Sequence, residues 1–307
     1  MTTVFHQPVL LDKVADLLVH DPTGIYVDAT LGGGGHAKEI LNRLTTGRLI
    51  GFDCDSDAIR WCQEHVNKSS VLVHARFSNL YEKLLPLAPS GVQGVLFDLG
   101  VSSFQLENSD RGFSYLRDGP LDCRMDATSG RTAAALMNEL SRQEIRRLLR
   151  TYGEEPQAAR IAAAIDHARK REPIHTTQQL AKIIEASVPA AGIKALARTF
   201  QALRITVNNE LEELDLGLEG AWKSLASGGH LVVLAYHSLE SRRVKAFFAD
   251  KTRGCTCPPN LPVCSCGGQA QAVRLIRRAI RPTLSEIRAN PRARSAQLRA
   301  IEKFQLI

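Results

Sequence analysis

The first hundred residues alternate between short apolar runs and amphipathic stretches. Apolar runs at 25–27, 49–52, 71–73 and 92–97 read as strands, and the stretches between them, at 9–18, 36–44 and from Asp57 onward, carry helical spacing. Strands separated by helices require crossover connections, which are right-handed, so the pattern predicts an α/β fold built on a doubly wound parallel sheet. The period then changes. Between 132 and 199 no strand is found, and helices are predicted at 141–149, 156–169 and 177–186, the first opened by the capping box Ser141-Arg142-Gln143-Glu144. A helix at 199–216 leads back to the sheet with an apolar stripe of Leu203, Val207, Leu211 and Leu214, beside a polar stripe of Gln201, Arg204 and Asn208. A further helix around Trp222 stops at Gly228-Gly229. A strand at 230–236, a helix from Ser238 to Phe248, and strand-like segments at 273–278 and 297–304 complete the chain. The expected organisation is a sheet domain in two parts, 1–126 and 201–307, interrupted by an all-helical, substrate-binding insert at 127–200.

The first strand ends in Asp28-Ala29-Thr30-Leu31 and runs into four glycines, Gly32 to Gly35, then His36; the second strand ends in Asp53. Glycines let a backbone turn sharply and approach a ligand, and a helix start offers free N–H groups. An acid about 20 residues beyond such a turn is placed to take ribose hydroxyls. The pattern therefore predicts a nucleoside-containing cofactor. Asp28 selects among cofactors: a carboxylate before the turn would repel a pyrophosphate but suits the sulfonium and ammonium of S-adenosyl-L-methionine. This opposes the rival reading, an NAD-dependent oxidoreductase.

Composition is that of a globular protein, with 44% hydrophobic and 23% charged residues, and no apolar run is long enough to cross a bilayer. The first residues lack a basic segment followed by an apolar core, and the seven cysteines are an odd number, so a reduced, cytoplasmic setting is expected. Charge is uneven. From Arg242 to Ile307 there are fourteen Lys/Arg against three Asp/Glu, an excess of eleven in a chain whose net charge is +7, so residues 1–241 carry −4. A basic tail on a mildly acidic body is an electrostatic footprint for nucleic acid. That footprint alone also fits a non-catalytic RNA-binding assembly factor with a vestigial cofactor pocket.

Ligands of open α/β sheets sit at the carboxyl ends of the strands. Asp28, the glycine turn, Asp53, the 74–77 region with Phe77, and Asp98 converge there. Phe77 either lies against an adenine or is plain core. Asp98 either meets a methyl acceptor or caps the next turn. A long, charge-dense loop follows Asp98, and loops of that kind tend to form sites. Its segments Asp98-Leu99-Gly100-Val101-Ser102-Ser103, Gln105-Leu106, Arg111-Gly112-Phe113-Ser114, Pro120-Leu121-Asp122 and Arg124-Met125-Asp126 join Gly34-Gly35-His36, Thr199-Phe200-Gln201-Ala202 with Arg204, Tyr236-His237-Ser238-Leu239-Glu240 with Arg242, and Asn290-Pro291-Arg292-Ala293-Arg294-Ser295. Together they closely resemble the RsmH (MraW) family of bacterial 16S rRNA cytosine-N4 methyltransferases, in the right order and over nearly the whole chain.

The resemblance implies a class I methyltransferase fold, S-adenosyl-L-methionine as cofactor, and 16S rRNA as partner, within a small ribosomal subunit particle and with no membrane. It implies cofactor contacts at Gly34, Gly35, His36, Asp53, Phe77, Asp98 and Gln105, the last a residue that pattern alone does not select. Asp98 is the candidate catalytic acceptor. The Asp/Asn-Pro-Pro-aromatic segment common in amino-methyltransferases is replaced here by Asp98-Leu99-Gly100-Val101, so Phe104, Phe113 or His237 would have to stack the base. Substrate-binding candidates are Arg111, Arg124, Arg204, Asn208, His237 and Ser238. Arg204 and Asn208 equally fit a polar network bracing the insert, Arg124 an ion-pair network with Asp122 and Asp126, and Ser238, where His237-Ser238 starts a helix, a simple serine N-cap. Lys and Arg of the tail are expected on phosphates. Cys255, Cys257, Cys264 and Cys266 lie close enough in sequence for one zinc ion, but their C-x-C spacing is atypical and methyl transfer needs no metal, so a metal-free loop is expected. Oligomeric state is left open.

Overall fold

The computed structural model describes residues 8–66, 70–255, 257 and 268–304. The chain divides into two compact units, Met1–Gly100 with Glu213–Ile307, and Val101–Glu212.

In the first unit seven strands form one sheet among the described residues: β1 Ile25–Asp28, β2 Arg48–Asp53, β3 Val71–His74, β4 Val92–Asp98, β5 Leu225–Ala235, β6 Ala272–Arg274 and β7 Gln297–Lys303. Their order is β3-β2-β1-β4-β5-β7-β6. β1 to β5 pair in parallel, and β7 lies antiparallel between β5 and β6. This is the doubly wound sheet that the alternation predicts. The central strands are apolar on both faces because helices cover both. Helices Leu11–Leu18, Gly35–Arg43 and Ser56–His65 pack Val14, Leu18, Ile40 and Ile59 against one face. Leu80, Leu84, Leu214, Leu218, Trp222, Val244 and Phe248 cover the other.

Two boundaries differ from the sequence reading. The predicted helix at 199–216 is two helices, Gly192–Asn208 and Glu210–Ser224, separated at Asn209, whose φ of 55° is left-handed. Asparagine tolerates that region, and the apolar stripe keeps helical spacing across the break, so periodicity runs through it. The Gly228-Gly229 stop lies inside β5: Val92 pairs with Leu225 but Gly94 with His230, and Gly228 (φ 77°) lets the intervening residues bulge.

The second unit is a helical cluster of Ala133–Glu139, Arg142–Tyr152, Ala158–Arg169, Thr177–Ser187 and Gly192–Asn208. Thr132, Ser141 and Thr176 cap three of these helices, the latter two in full capping boxes. The unit is wider than the 127–200 stretch expected from helical spacing. The long loop belongs to it because Phe113, Leu121 and Cys123 are buried among the helices' Met137, Ile161, Leu180 and Leu203. The loop backbone is also tied in, by Leu121 N–H to His175 O at 2.8 Å, Thr177 N–H to Gly119 O at 2.9 Å, and Ala133 N–H to Asp122 O at 2.7 Å.

Candidate active site

The glycine turn is held by the acids on either side of it. Asp28 ends β1 and is 1% exposed; its Oδ1 accepts the Thr30 N–H at 3.1 Å, and its Oδ2 has no hydrogen-bond partner. Asp53, the last residue of β2, accepts the Gly32 N–H at 2.8 Å on Oδ2 and the Asp55 N–H at 2.8 Å on Oδ1. Gly34 takes a left-handed φ of 76° just before the helix, and a Cβ on it would lie 2.6 Å from Val66 Cγ2. A Cβ on Gly35 would lie 2.7 Å from Pro8 Cγ. Packing therefore favours glycine at both positions, and the left-handed turn requires it at Gly34 as well.

His36, on the first turn of that helix, is 6% exposed, and its Nε2 stands 3.4 Å from Asp98 Oδ2 at the end of β4. The other carboxylate oxygen of Asp98 accepts the Tyr236 hydroxyl at 2.7 Å, and the Asp98 backbone N–H donates to Thr30 Oγ1 at 2.6 Å. Asp98 is thus bracketed by a histidine and a tyrosine that follow β1 and β5, its two neighbours in the sheet. Sequence reasoning named His36 but passed over Tyr236 and Thr30. The available signal was position: Tyr236 directly follows β5, whose Leu234 pairs with Asp98.

Electrostatics reflect the crowding of acids. Burial pushes Asp28 up to about 7, against the attraction of His36, with the Asp98 and Asp53 charges adding to the rise. Burial likewise pushes Asp53 up to about 6, although the N–H groups of Asp55 and Gly32 oppose it. For His36 burial favours the neutral ring, but the nearby carboxylates of Asp98 and Asp28 outweigh it and raise its pKa. Tyr236 is held protonated well above its ordinary value by burial and by Asp98.

A pH dependence follows. Between the unfolded value of 3.8 and about 7 the folded chain keeps a proton on Asp28 that the unfolded chain has lost, so ligand-free stability falls as pH rises through that window. His36, also raised, holds its contribution below its unfolded value of 6.5 and loses it above, in the same direction. At 1.4 kcal/mol per tenfold change, the Asp28 part is at most about 4 kcal/mol. Calorimetric melting of ligand-free protein should give a lower Tm at pH 8 than at pH 5. Asp28→Asn should flatten that decline; an equally steep decline in the variant would exclude Asp28 as its source.

The remaining candidates are placed as follows. Phe77 opens a short 3-10 helix after β3, packs edge-on against Phe97 at 5.6 Å between ring centroids, and remains partly exposed. His237 is the N-cap of helix Ser238–Thr252, its Nδ1 accepting the Glu240 N–H at 3.4 Å and its Nε2 lying 3.0 Å from Glu240 Oε1; the cap is thus the histidine and not the serine, and Ser238 is the first residue of that helix. In the second unit Gln105 is buried in a capping box with Ser102. Arg111 is 8% exposed and donates to the carbonyls of Arg124 and Met125. Asn208 is 3% exposed, accepts the Met125 N–H at 2.7 Å, and donates to Cys123 O and Arg204 O. Both side chains tie the loop together, Asn208 through its amide oxygen and nitrogen and Arg111 through one guanidinium nitrogen. Arg204 pairs bidentately with Glu210 at 2.7 and 2.9 Å, and Arg124 with Asp122 at 2.8 Å for both bonds; Asp126 accepts from Thr128 and Ser129, and its charge also acts on Arg124. Of the four clustered cysteines, Cys264 and Cys266 lie outside the described residues. No helix of the described residues is long and apolar enough to cross a membrane.

Comparison with known proteins gives this geometry a family. The chain is 48% identical to the ribosomal RNA small subunit methyltransferase H of Symbiobacterium thermophilum, over 98% of this chain and 97% of that protein. It is 45% identical to the proteins of the same name from Heliobacterium modesticaldum, over 98% and 100%, and from Pelobacter propionicus, over 97% and 98%. The model of the MraW methylase family matches residues 3–304, and the chain belongs to that family.

Proposed function

We propose that this chain transfers a methyl group from S-adenosyl-L-methionine to the N4 amino group of a cytidine in the decoding region of 16S rRNA, within a small ribosomal subunit particle. The observation that carries the reading is the 48% identity, along nearly the whole of both chains, to a protein named ribosomal RNA small subunit methyltransferase H. Site chemistry supports the donor. A buried Asp28 oxygen without a partner, beside two further carboxylates, suits a cationic ligand and would repel the pyrophosphate of a dinucleotide.

In this reading Gly34 and Gly35 would let the backbone approach the donor, Asp28 and His36 would hold its charged end, Asp53 would accept hydrogen bonds from the ribose hydroxyls, and Phe77 would lie against the adenine. Gln105 is assigned to the same ligand on the family resemblance, and the helical unit to holding rRNA. The bound donor supplies an electrophilic methyl on a positively charged sulfur. Cytosine N4 is a weak nucleophile because its lone pair is delocalised into the ring. Asp98 would accept a hydrogen bond from the amino group, which favours the pyramidal, attacking nitrogen, and would take the proton released as the N–C bond forms and the donor's methyl–sulfur bond breaks, its electron pair leaving with the neutral thioether. The Tyr236 hydroxyl and the His36 ring hold the Asp98 carboxylate in its rotamer and share its charge, so little reorganisation is needed as charge develops. Alignment of nitrogen and methyl within about 3–3.5 Å supplies much of the remaining acceleration.

The test is a map of N4-methylcytidine in 16S rRNA from cells with and without this protein, paired with methyl incorporation by purified protein into small subunits and into free 16S rRNA. One N4-methylcytidine is expected to vanish without the protein and to be restored on small subunits. An unchanged map, or methyl groups at another position, would overturn the assignment.

A further inference from the structure

A second concave site lies on the first unit, away from the glycine turn. A cavity of about 400 Å³ opens beside β7, and six of its lining residues are cations: Lys245, Arg274, Arg277, Arg278, Arg281 and Arg299. No carboxylate lines it. Three separate segments supply the charge. Lys245 comes from helix Ser238–Thr252, Arg299 from β7, and the other four from the end of β6 and the loop after it. That loop is fixed rather than loose: Leu275 N–H donates to Ala300 O at 3.1 Å, and Ile280 and Leu298 exchange two backbone hydrogen bonds, at 3.0 and 2.9 Å.

Arg299 carries the argument furthest. Its Cα pairs with Val233 of β5, so its guanidinium starts from inside the sheet, and its Nε is shielded from solvent with no hydrogen-bond partner. Burial, together with the neighbouring Arg274 charge, lowers its pKa. A shielded, unpaired guanidinium donor is costly unless a ligand completes it. Among the described residues none of the six cations forms an ion pair with a carboxylate. Six like charges around one cavity repel one another until an anion enters, and the apolar side chains of Phe248, Ile276 and Ala300 in the wall strengthen attraction to that anion.

Its position selects the anion. Gln297, in the lining, pairs with Ala235, one residue before Tyr236, and Asp98 pairs with Leu234 on the other side of β5. The cavity therefore sits toward the same end of the sheet as Asp98 and two strands away, but Arg299 issues from the other face, because its neighbour Leu298 is the residue in register with Leu234 and Asp98. A strand that passes around the end of the sheet, with its base held at Asp98, would bring a neighbouring phosphate to that face. Guanidinium forks match phosphate oxygens in geometry as well as charge.

We propose that the Arg274–Arg299 cavity binds a backbone phosphate of the RNA substrate close to the acceptor nucleotide and sets the register of the strand. The proposal rests on the rRNA methyltransferase reading and adds a particular phosphate subsite to it.

The experiment uses the full chain and the variants Arg299→Gln and Arg274→Gln/Arg277→Gln, the second altering exposed side chains only, with Lys83→Gln as a distant exposed-cation control. Two quantities are read: binding of a fluorescent single-stranded oligoribonucleotide across a potassium chloride series, and methyl transfer to small subunits. For both cavity variants the slope of log K against log salt should become shallower by about 0.7 for each phosphate that is no longer neutralised. KM for small subunits should rise about tenfold, with kcat, donor affinity and the Lys83→Gln values close to wild type. Wild-type slopes and KM in both cavity variants would overturn the subsite while leaving the methyltransferase reading intact. Failure of the wild-type protein to methylate rRNA would overturn that reading, and the oligoribonucleotide slopes would still decide the subsite. Calorimetric binding of inorganic phosphate that both cavity variants abolish, with RNA binding unaltered, would make this a free-anion site and sink the RNA assignment.

Discussion

Asp98→Ala should lower the turnover number for methyl transfer to small subunits by about 10²- to 10³-fold, the usual cost of removing one preorganised polar group from a reacting centre. Both oxygens of Asp98 are oriented, one by the Tyr236 hydroxyl at 2.7 Å and one by His36 at 3.4 Å, so the substitution removes a carboxylate whose direction is already set. Donor binding, followed separately by calorimetry, should weaken far less than turnover falls, because Asp28 and Asp53 remain. Tyr236→Phe provides the graded comparison. It keeps the carboxylate and removes one charge-assisted hydrogen bond, so kcat should fall about tenfold. If Asp98→Ala turns over at the wild-type rate, the carboxylate does not serve the amino group. If instead only donor affinity drops, Asp98 belongs to the cofactor alone.

Gly112→Ala should be the most destabilising single-methyl change in the helical unit. Gly112 has a φ of 70°, and a Cβ there would lie 2.2 Å from Pro120 O and 2.6 Å from Asp122 N. Neither atom can retreat. Pro120 forms a bridge with Thr176, and Asp122 O accepts the Ala133 N–H at 2.7 Å. A left-handed residue costs about 1–2 kcal/mol and a forced overlap in packed surroundings about 1–3 more. The melting temperature of the full chain should therefore drop by roughly 5–15 °C, at 2–4 °C per kcal/mol for a protein of this size or somewhat smaller. Gly130→Ala separates the two causes. Its φ is 85° but nothing lies within 4 Å of the added Cβ, so it should show the conformational part alone, about 1–2 kcal/mol. Equal losses in the two variants would mean that the close approach at Gly112 contributes nothing.

The loop around Gly112 also shows how far a residue's type carries. Arg111, Asn208 and Arg204 all read as polar groups at a site, and for Asn208 and Arg204 a brace within the chain fits the sequence equally well. In the structure Asn208 accepts the Met125 N–H and donates to Cys123 O, and Arg111 donates to two consecutive loop carbonyls. These partners lie 83, 85, 13 and 14 residues away in sequence. No local spacing encodes such pairings, so the choice between ligand and brace was invisible until the chain had folded. His237 is different. Its capping box with Glu240 is a local motif at fixed spacing, so a helix start there was readable, although the cap was expected on Ser238.

The sequence by itself determined the alternation of strands and helices, the acids at the ends of β1, β2 and β4, and the glycine turn between the first two. These are short-range features: apolar periodicity, glycine conformational freedom and the placing of polar residues where an apolar run ends. Tertiary structure alone decided which groups surround Asp98, because Thr30, His36 and Tyr236 come from segments far apart in the chain and meet only when β1, β4 and β5 lie side by side. It also decided that arginines scattered along a basic tail line one cavity. Charge in a sequence is a sum, whereas a binding site depends on where backbone hydrogen bonds between β6, β7 and the loop fix each guanidinium.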